Sequence, residues 1–368
     1  MIGAVLVSGS ATVPPLAELI NNLSAGRAQM GTSLAFHIIF AAIGVGLPVM
    51  MVIAEGVGIR TGDSQWLALA RKWSKAAGVL FVVGAVSGTV ISFELGLLWP
   101  EFMRYAGGII GFPFSLEGIF FFTEAIFLAI YIYGWDRLSP KLHWLSGIGV
   151  AIAGLFASIM IMSANSWMNT PAGFDIDAAK NGVIADVDPL AAMFNESWAT
   201  HGPHLVIACL MATAFGVAAV YAVGMLRGRR DGYHRKALTL ALAMGAILAP
   251  IQLGVGDLVG RTTAQTQPAK LAAMEGLWDT EKGAGLGLLD FPIKSKDKSV
   301  LIVDIPYLLS LLAYDDPHAT VRGYGSFPED DRTDYPLLVR LSFLGMVGIG
   351  TGLILLAIWF WLRSEERR

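Results

Sequence analysis

An all-α integral membrane protein is the fold this sequence predicts: a bundle of about seven transmembrane helices with a long extracytoplasmic loop between helices six and seven. Three observations lead there. Of 368 residues, 55% are hydrophobic and 15% charged, with a mean hydropathy of +0.60, whereas a soluble domain carries roughly a quarter charged residues. Seven apolar runs reach the ~20 residues that a helix needs to cross a hydrocarbon core of ~30 Å. Basic residues also gather in alternate connections between those runs.

The runs, in order, are 33–54, 76–99, 112–134, 144–164, 202–226, 236–256 and 338–362. Helices are the open choice, because lipid leaves every unpaired backbone group unsatisfied and the short alternating pattern of barrel strands is missing. Connections after runs one, three and five, together with the tail, hold fourteen Lys and Arg residues, among them Arg71, Arg137, Arg230 and Arg367 and Arg368 at the end. The short segments on the other side hold Arg27, Arg104 and Lys180. Positive residues stay in the cytoplasm, so the amino terminus is expected outside and the carboxyl terminus inside, as an odd number of spans requires. The chain then divides into a six-helix membrane domain (1–256), an extracytoplasmic loop (257–337) and a seventh helix with a cytoplasmic tail (338–368). Tryptophans 66, 73, 99, 135, 144, 167, 198, 359 and 361 fall at or near run ends, the depth that suits an amphipathic ring. The apolar stretch 1–7 is short and has no basic residue before it, so no cleavable signal peptide is expected.

A net charge of -3 gives no basic field for nucleic acid. The lone Cys209 rules out an intrachain disulfide and a cysteine-built zinc or iron–sulfur site.

The informative charges lie inside the runs. At 1.5 Å per residue, His37, Glu94, Glu117, Glu124, His204 and Met346 are expected towards the outer side of five helices. Glu117 and Glu124 are seven residues apart and share a helix face. Intramembrane ionisable residues are expensive and commonly mark an ion, proton or cofactor path. Two histidines, a methionine and carboxylates in a cysteine-poor bundle suit haem, whose iron takes His or His/Met ligation. Each residue also has a plainer role. A buried histidine often just bonds its neighbours, and most of the fourteen methionines must fill gaps. His143, His201, His234 and His318 are expected to be solvated in loops or at interfaces.

Several strings then resemble one family, subunit I of the cytochrome bd-type quinol:oxygen oxidases. They are Arg27, Ala28 and Gln29 followed by His37; Phe114-Ser-Leu-Glu-Gly118; Tyr133-Gly-Trp-Asp-Arg-Leu138; and Ala164-Asn-Ser-Trp-Met-Asn-Thr-Pro171. His204 with its Ala/Thr-rich helix, Lys270-Leu-Ala-Ala-Met-Glu-Gly-Leu-Trp278 and Ser342-Phe-Leu-Gly-Met-Val347 follow in the family's order.

The resemblance implies roles. His37 resembles the axial ligand of a high-spin haem (b or d) near the oxygen site, and His204 with Met346 the axial pair of low-spin haem b. Lys270 and Glu275 resemble the charged pair of a quinol-binding loop, although alone they would read as a solvated face. Glu117 and Glu124 resemble carboxylates beside the high-spin haems, serving haem contacts or proton delivery. Ser158 and Ser163 are expected beside Glu124 on an inward proton route, unless they simply bond their own helix. The implied partners are the oxidase's subunit II and a small single-helix subunit, in the bacterial cytoplasmic membrane, with membrane quinol and oxygen as substrates.

Two departures accompany the match. Leu344 stands where the family usually has an arginine two residues before the methionine ligand, and Arg340 one turn earlier is expected to compensate. Family members also continue through about two further helices, with a second haem carboxylate and a Gly-Arg-Gln-Pro-Trp type string that this sequence lacks. The expectation is a truncated product, or a wall supplied by another polypeptide. The alternative function is therefore a non-catalytic haem-binding electron-transfer or assembly subunit; a cofactor-free transporter leaves the His/Met placement unexplained.

Overall fold

In the computed structural model, residues 22–175, 178–179, 184, 186–293 and 298–365 are described. The stretch 1–7, Lys180, Arg367 and Arg368, used above for leader and orientation, lie outside them. Among the described residues seven helices are long and apolar enough to cross a membrane. They are α1 (Asn22–Thr61), α2 (Ser64–Leu98), α3 (Pro100–Gly134), α4 (Pro140–Asn169), α5 (Trp198–Leu226), α6 (Gly232–Thr266) and α7 (Pro336–Glu365).

Every helix outruns its apolar stretch, because good starting residues sit beyond the apolar limits. Asp63 caps α2 by accepting from Gln65 N at 2.9 Å, and Asp231 caps α6 by accepting from His234 N at 2.9 Å. Pro100 and Pro140 occupy the first turns of α3 and α4, where a missing N–H loses nothing. Short connections make successive helices antiparallel. One end of the bundle carries the long segments 170–197 and 267–335, and we call it the loop end. The turn end carries the tight connections around Gly62, Asp136 and Gly228.

Lipid removes most of the hydrophobic drive between helices, so association rests on close packing of small residues. Gly46 of α1 shows this, because a Cβ there would stand 2.5 Å from Thr213 Cβ on α5. A large core fills the turn half, with Met50, Met51, Leu69, Trp73, Tyr131 and Val150 buried together. Large apolar residues such as Val79, Leu97, Phe122 and Leu226 point outwards, as on a lipid-facing surface.

The loop between α6 and α7 is folded, which an all-helical reading does not anticipate. A short helix, Pro268–Glu275, ends on Gly276 in the left-handed region at φ 69°, a conformation that glycine adopts without strain. Strand β1 (Glu281–Lys282) pairs with β4 (Thr320–Val321), and β2 (Leu286–Ile293) with β3 (Lys298–Ile305), both antiparallel. The β-branched run Val300, Ile302, Val303 and Ile305 favours that hairpin. Trp278, Tyr324 and Phe327 pack with Ala272 and Ala273 into a core that seats the loop against Val339 of α7.

Candidate functional site

Contacts between parallel helices set the depths of the polar residues. Gly46 and Thr213 touch; nine residues towards the loop end from each lie His37 and His204. Phe215 of α5 and Ala357 of α7 share one cluster, and eleven residues before each lie His204 and Met346. Val52 of α1 and Tyr131 of α3 both face Gly147 of α4; fifteen and fourteen residues before them lie His37 and Glu117. His37, Glu117, His204 and Met346 therefore share a level. Glu124 is about 10 Å nearer the turn end. Glu94 lies closer to the loop end, since its partners Gln29 and Ser33 precede His37 on α1.

Two groups stand at this level or within two turns of it. In the first, His37 Nδ1 is 2.9 Å from Ser87 Oγ. The single proton of that hydroxyl has the Val83 and Gly84 carbonyls as acceptors, and when it is donated to either of them the oxygen accepts from Nδ1–H. In that tautomer the Nε2 lone pair is available, the arrangement a metal-binding histidine needs. Gly88 keeps room for the ring, as a Cβ would lie 3.1 Å from His37 Cε1. Glu94 is buried and accepts from Gln29 Nε2 at 3.0 Å and Ser33 Oγ at 2.8 Å, while its Oε2 has no hydrogen-bond partner. Glu124 is buried on α3 against Gly154, where a Cβ would meet Oε2 at 3.2 Å.

In the second group the Gln252 amide of α6 stands 3.2 Å from both His204 ring nitrogens. Its buried Oε1 and the nearby Trp198 Nε1 have no partner. Met346 lies on the stripe Val339, Leu353, Phe360 by which α7 packs on the rest of the molecule, yet it is 53% exposed. Gly345 and Gly348 beside it would meet nothing within 4 Å. The space beside Met346 is thus open at the level of His204.

Lys270 and Glu275 are not brought together. Lys270 Nζ donates to Asn169 Oδ1 at 3.0 Å, at the end of α4. Burial of its stem by the surrounding loop pulls its ammonium below the ordinary lysine value. It lines an open hollow of about 460 Å³ with Thr266, Gln267, Arg322, Phe327 and Asp331. Glu275 instead pairs with Arg340 at 3.5 Å. Arg340, 1% exposed, also donates to the carbonyls of Met274, at 2.8 Å, and Gly287. The compensation expected of Arg340 for Leu344 thus meets a guanidinium committed to clamping the loop.

Ser158 and Ser163 donate to the Leu155 and Ile159 carbonyls of their own helix, the plainer of their two expected roles. His143 corrects the expectation of a solvated residue: it is 2% exposed, with Nδ1 2.5 Å from Glu55 Oε1 and Nε2 2.9 Å from the Tyr131 carbonyl. Sequence reasoning missed this cluster because Glu55 falls one residue past the first apolar run and His143 one before the fourth. Tyr131, seven residues beyond Glu124 on the same face of α3, was the available signal.

The family model described as cytochrome bd terminal oxidase subunit I matches residues 25–367. The putative cytochrome bd menaquinol oxidase subunit I of Bacillus subtilis (strain 168) is 38% identical over 343 residues, covering 92% of this chain and 76% of that protein. The cytochrome bd ubiquinol oxidase subunit 1 of the same organism is 30% identical over 360 residues, covering 95% and 76%. Among solved structures, the bd oxidase from Geobacillus thermodenitrificans matches with a TM-score of 0.87 at 40% identity, over 93% of this chain and 78% of that one.

Proposed function

Since the chain belongs to the cytochrome bd terminal oxidase subunit I family, we propose that it is the haem-bearing subunit of a membrane quinol oxidase that reduces oxygen to water. The observation that carries this reading is the common level of His37, Glu117, His204 and Met346 on four helices. Bound haem would supply one-electron carriers and an oxygen-binding iron.

The chain's own residues do the rest. His204 and Met346 hold the low-spin haem b between α5, α6 and α7. His37 offers Nε2 to a high-spin haem, b or d, with Ser87 fixing the ring. Glu117 and Glu124 take up and pass on protons beside it. Lys270 orients quinol at the loop cavity, and Glu275 keeps that loop seated through Arg340. Each quinol releases two electrons and two protons, so two quinols reduce one oxygen to two waters. With the loop end outside and the turn end in the cytoplasm, protons leave on one side and are taken up from the other. Each charge so separated stores about 2.3 kcal/mol per 100 mV. Subunit II and a small single-helix subunit complete the assembly in the bacterial membrane.

Oxygen uptake by the purified complex supplied with quinol, alongside a reduced-minus-oxidised spectrum, tests this reading. Uptake with haem signals is expected. Haem without uptake would favour the electron-transfer subunit instead, and no haem at all would sink both. Lys270→Leu should impair quinol oxidation at unchanged haem content.

A further inference from the structure

We propose that the buried Glu55–His143 pair, with the Tyr131 hydroxyl beside it, is a one-proton reservoir at the turn end that reloads Glu124. The proposal rests on the oxidase reading, in which Glu124 passes protons on.

His143 Nε2 faces a backbone carbonyl at 2.9 Å; a carbonyl only accepts, so Nε2 carries a hydrogen. One proton then lies between Nδ1 and Glu55 Oε1, 2.5 Å apart. The pair is imidazolium with carboxylate or imidazole with carboxylic acid, and either way it is neutral overall. A neutral pair holding a single transferable proton suits a site where both side chains are 3% exposed or less.

The surroundings are built for water. Glu55 Oε2, the Tyr131 hydroxyl and Trp135 Nε1 are all buried without a hydrogen-bond partner. The Tyr131 hydroxyl faces the Glu55 carboxyl closely enough to interact with it, and a water between them would satisfy both buried groups. Few other charges face the pair. Tyr131 and Trp135 come from α3, with ring centroids 4.4 and 4.2 Å from the His143 ring. From α2, Arg71 lies 5.8 Å over the Trp135 ring and pairs with Asp136 at 2.7 Å. One indole thus separates His143 from the exposed Arg71–Asp136 bridge at the turn end.

Towards the loop end, Glu124 and Glu117 continue the line on the same face of α3 at seven-residue steps. Side chains lean towards the helix amino terminus, which for α3 is the loop end, so Tyr131 leans in the direction of Glu124. Gly147 and Gly154 of α4 accommodate Tyr131 and Glu124, respectively. Leu128 and Val150 are buried between these levels, so water bridges the two turns only transiently and this stretch is the slow one. In the transfer, the pair's proton passes through water and the Tyr131 hydroxyl to the Glu124 carboxylate. Glu55 carboxylate and neutral His143 remain, and hydronium from the turn end restores the proton and leaves water.

The test uses the assembled complex with Glu55→Gln and Tyr131→Phe. Glutamine can still bond His143 Nδ1 but carries no transferable proton. Expected for Glu55→Gln are unchanged haem content, loss of a deuterium-sensitive infrared signal from the shared proton, a shifted pH profile, and proton uptake after an oxygen pulse slowed about tenfold or more. Tyr131→Phe should slow uptake less. Wild-type uptake rate and pH profile in Glu55→Gln with intact haem would overturn the proposal; should that variant fail to fold, His143→Gln puts the same question. A wild-type complex that consumes no oxygen breaks the oxidase reading instead, and the infrared signal still decides whether the shared proton exists.

Discussion

At the loop end, the His37 ring meets the Ser87 hydroxyl through Nδ1, at 2.9 Å, and the Gly84 backbone carbonyl. At the turn end, His143 engages both ring nitrogens, with Glu55 and the Tyr131 carbonyl. The surroundings differ as well. His143 sits beside a core of fully buried side chains, while Met346 is half exposed on a packing stripe among glycines that touch nothing. The difference is one of partners: His143 is closed off by a carboxylate and a carbonyl, whereas His37 meets a hydroxyl, and burial alone does not tell the two settings apart.

The sharpest way to break that contrast is to remove the proposed ligands. His204→Ala or Met346→Leu should abolish the low-spin haem signal in the reduced spectrum, whereas His143→Gln should keep it; an intact low-spin spectrum in the first two would undo the axial assignment. Next in size, Glu55→Ala leaves His143 without its partner and should cost about 3–5 kcal/mol of stability, read by thermal denaturation of the detergent-solubilised protein, while Glu55→Gln stays close to wild type. Equal melting temperatures for the two variants would mean the pair contributes nothing. Ser87→Ala is subtler. Without the acceptor for Nδ1–H, His37 should hold its haem about 10- to 100-fold less tightly, and retention of the high-spin pigment through dilution measures it.

The smallest effect is at the turn-end surface. Lys236 bonds Asp63 and, with the Gln65 amide, holds that carboxyl below the usual carboxylate range. A depressed folded value means the contribution is complete above the unfolded pKa of about 3.9 and is lost as pH falls towards the folded one. Asp63→Asn should flatten the acid limb of stability against pH; an unchanged limb would remove Asp63 from the account.

Seven helices, their order and their apolar limits were legible because lipid imposes one length and one polarity on every crossing. The candidate ligands could be found as well, since an ionisable residue in such a run is conspicuous. The loop's hairpin was not, because β-pairing between two short strands depends on partners brought together by folding. Glu275 and Lys270 illustrate the limit more sharply. By themselves they read as a solvated face and only the family resemblance makes them a pair, whereas the loop helix turns them apart, one towards Arg340 and the other towards Asn169.

The sequence by itself determined the class of the protein, the number of crossings and the residue types at hand, all of which follow from local polarity and period. Only the tertiary structure decided which polar atoms are satisfied and which are left over. Ser87 fixing His37, Arg340 clamping the loop and Glu55 sharing a proton with His143 each join residues more than 45 positions apart. Such bonds are specified by how helices cross, and no local pattern encodes that.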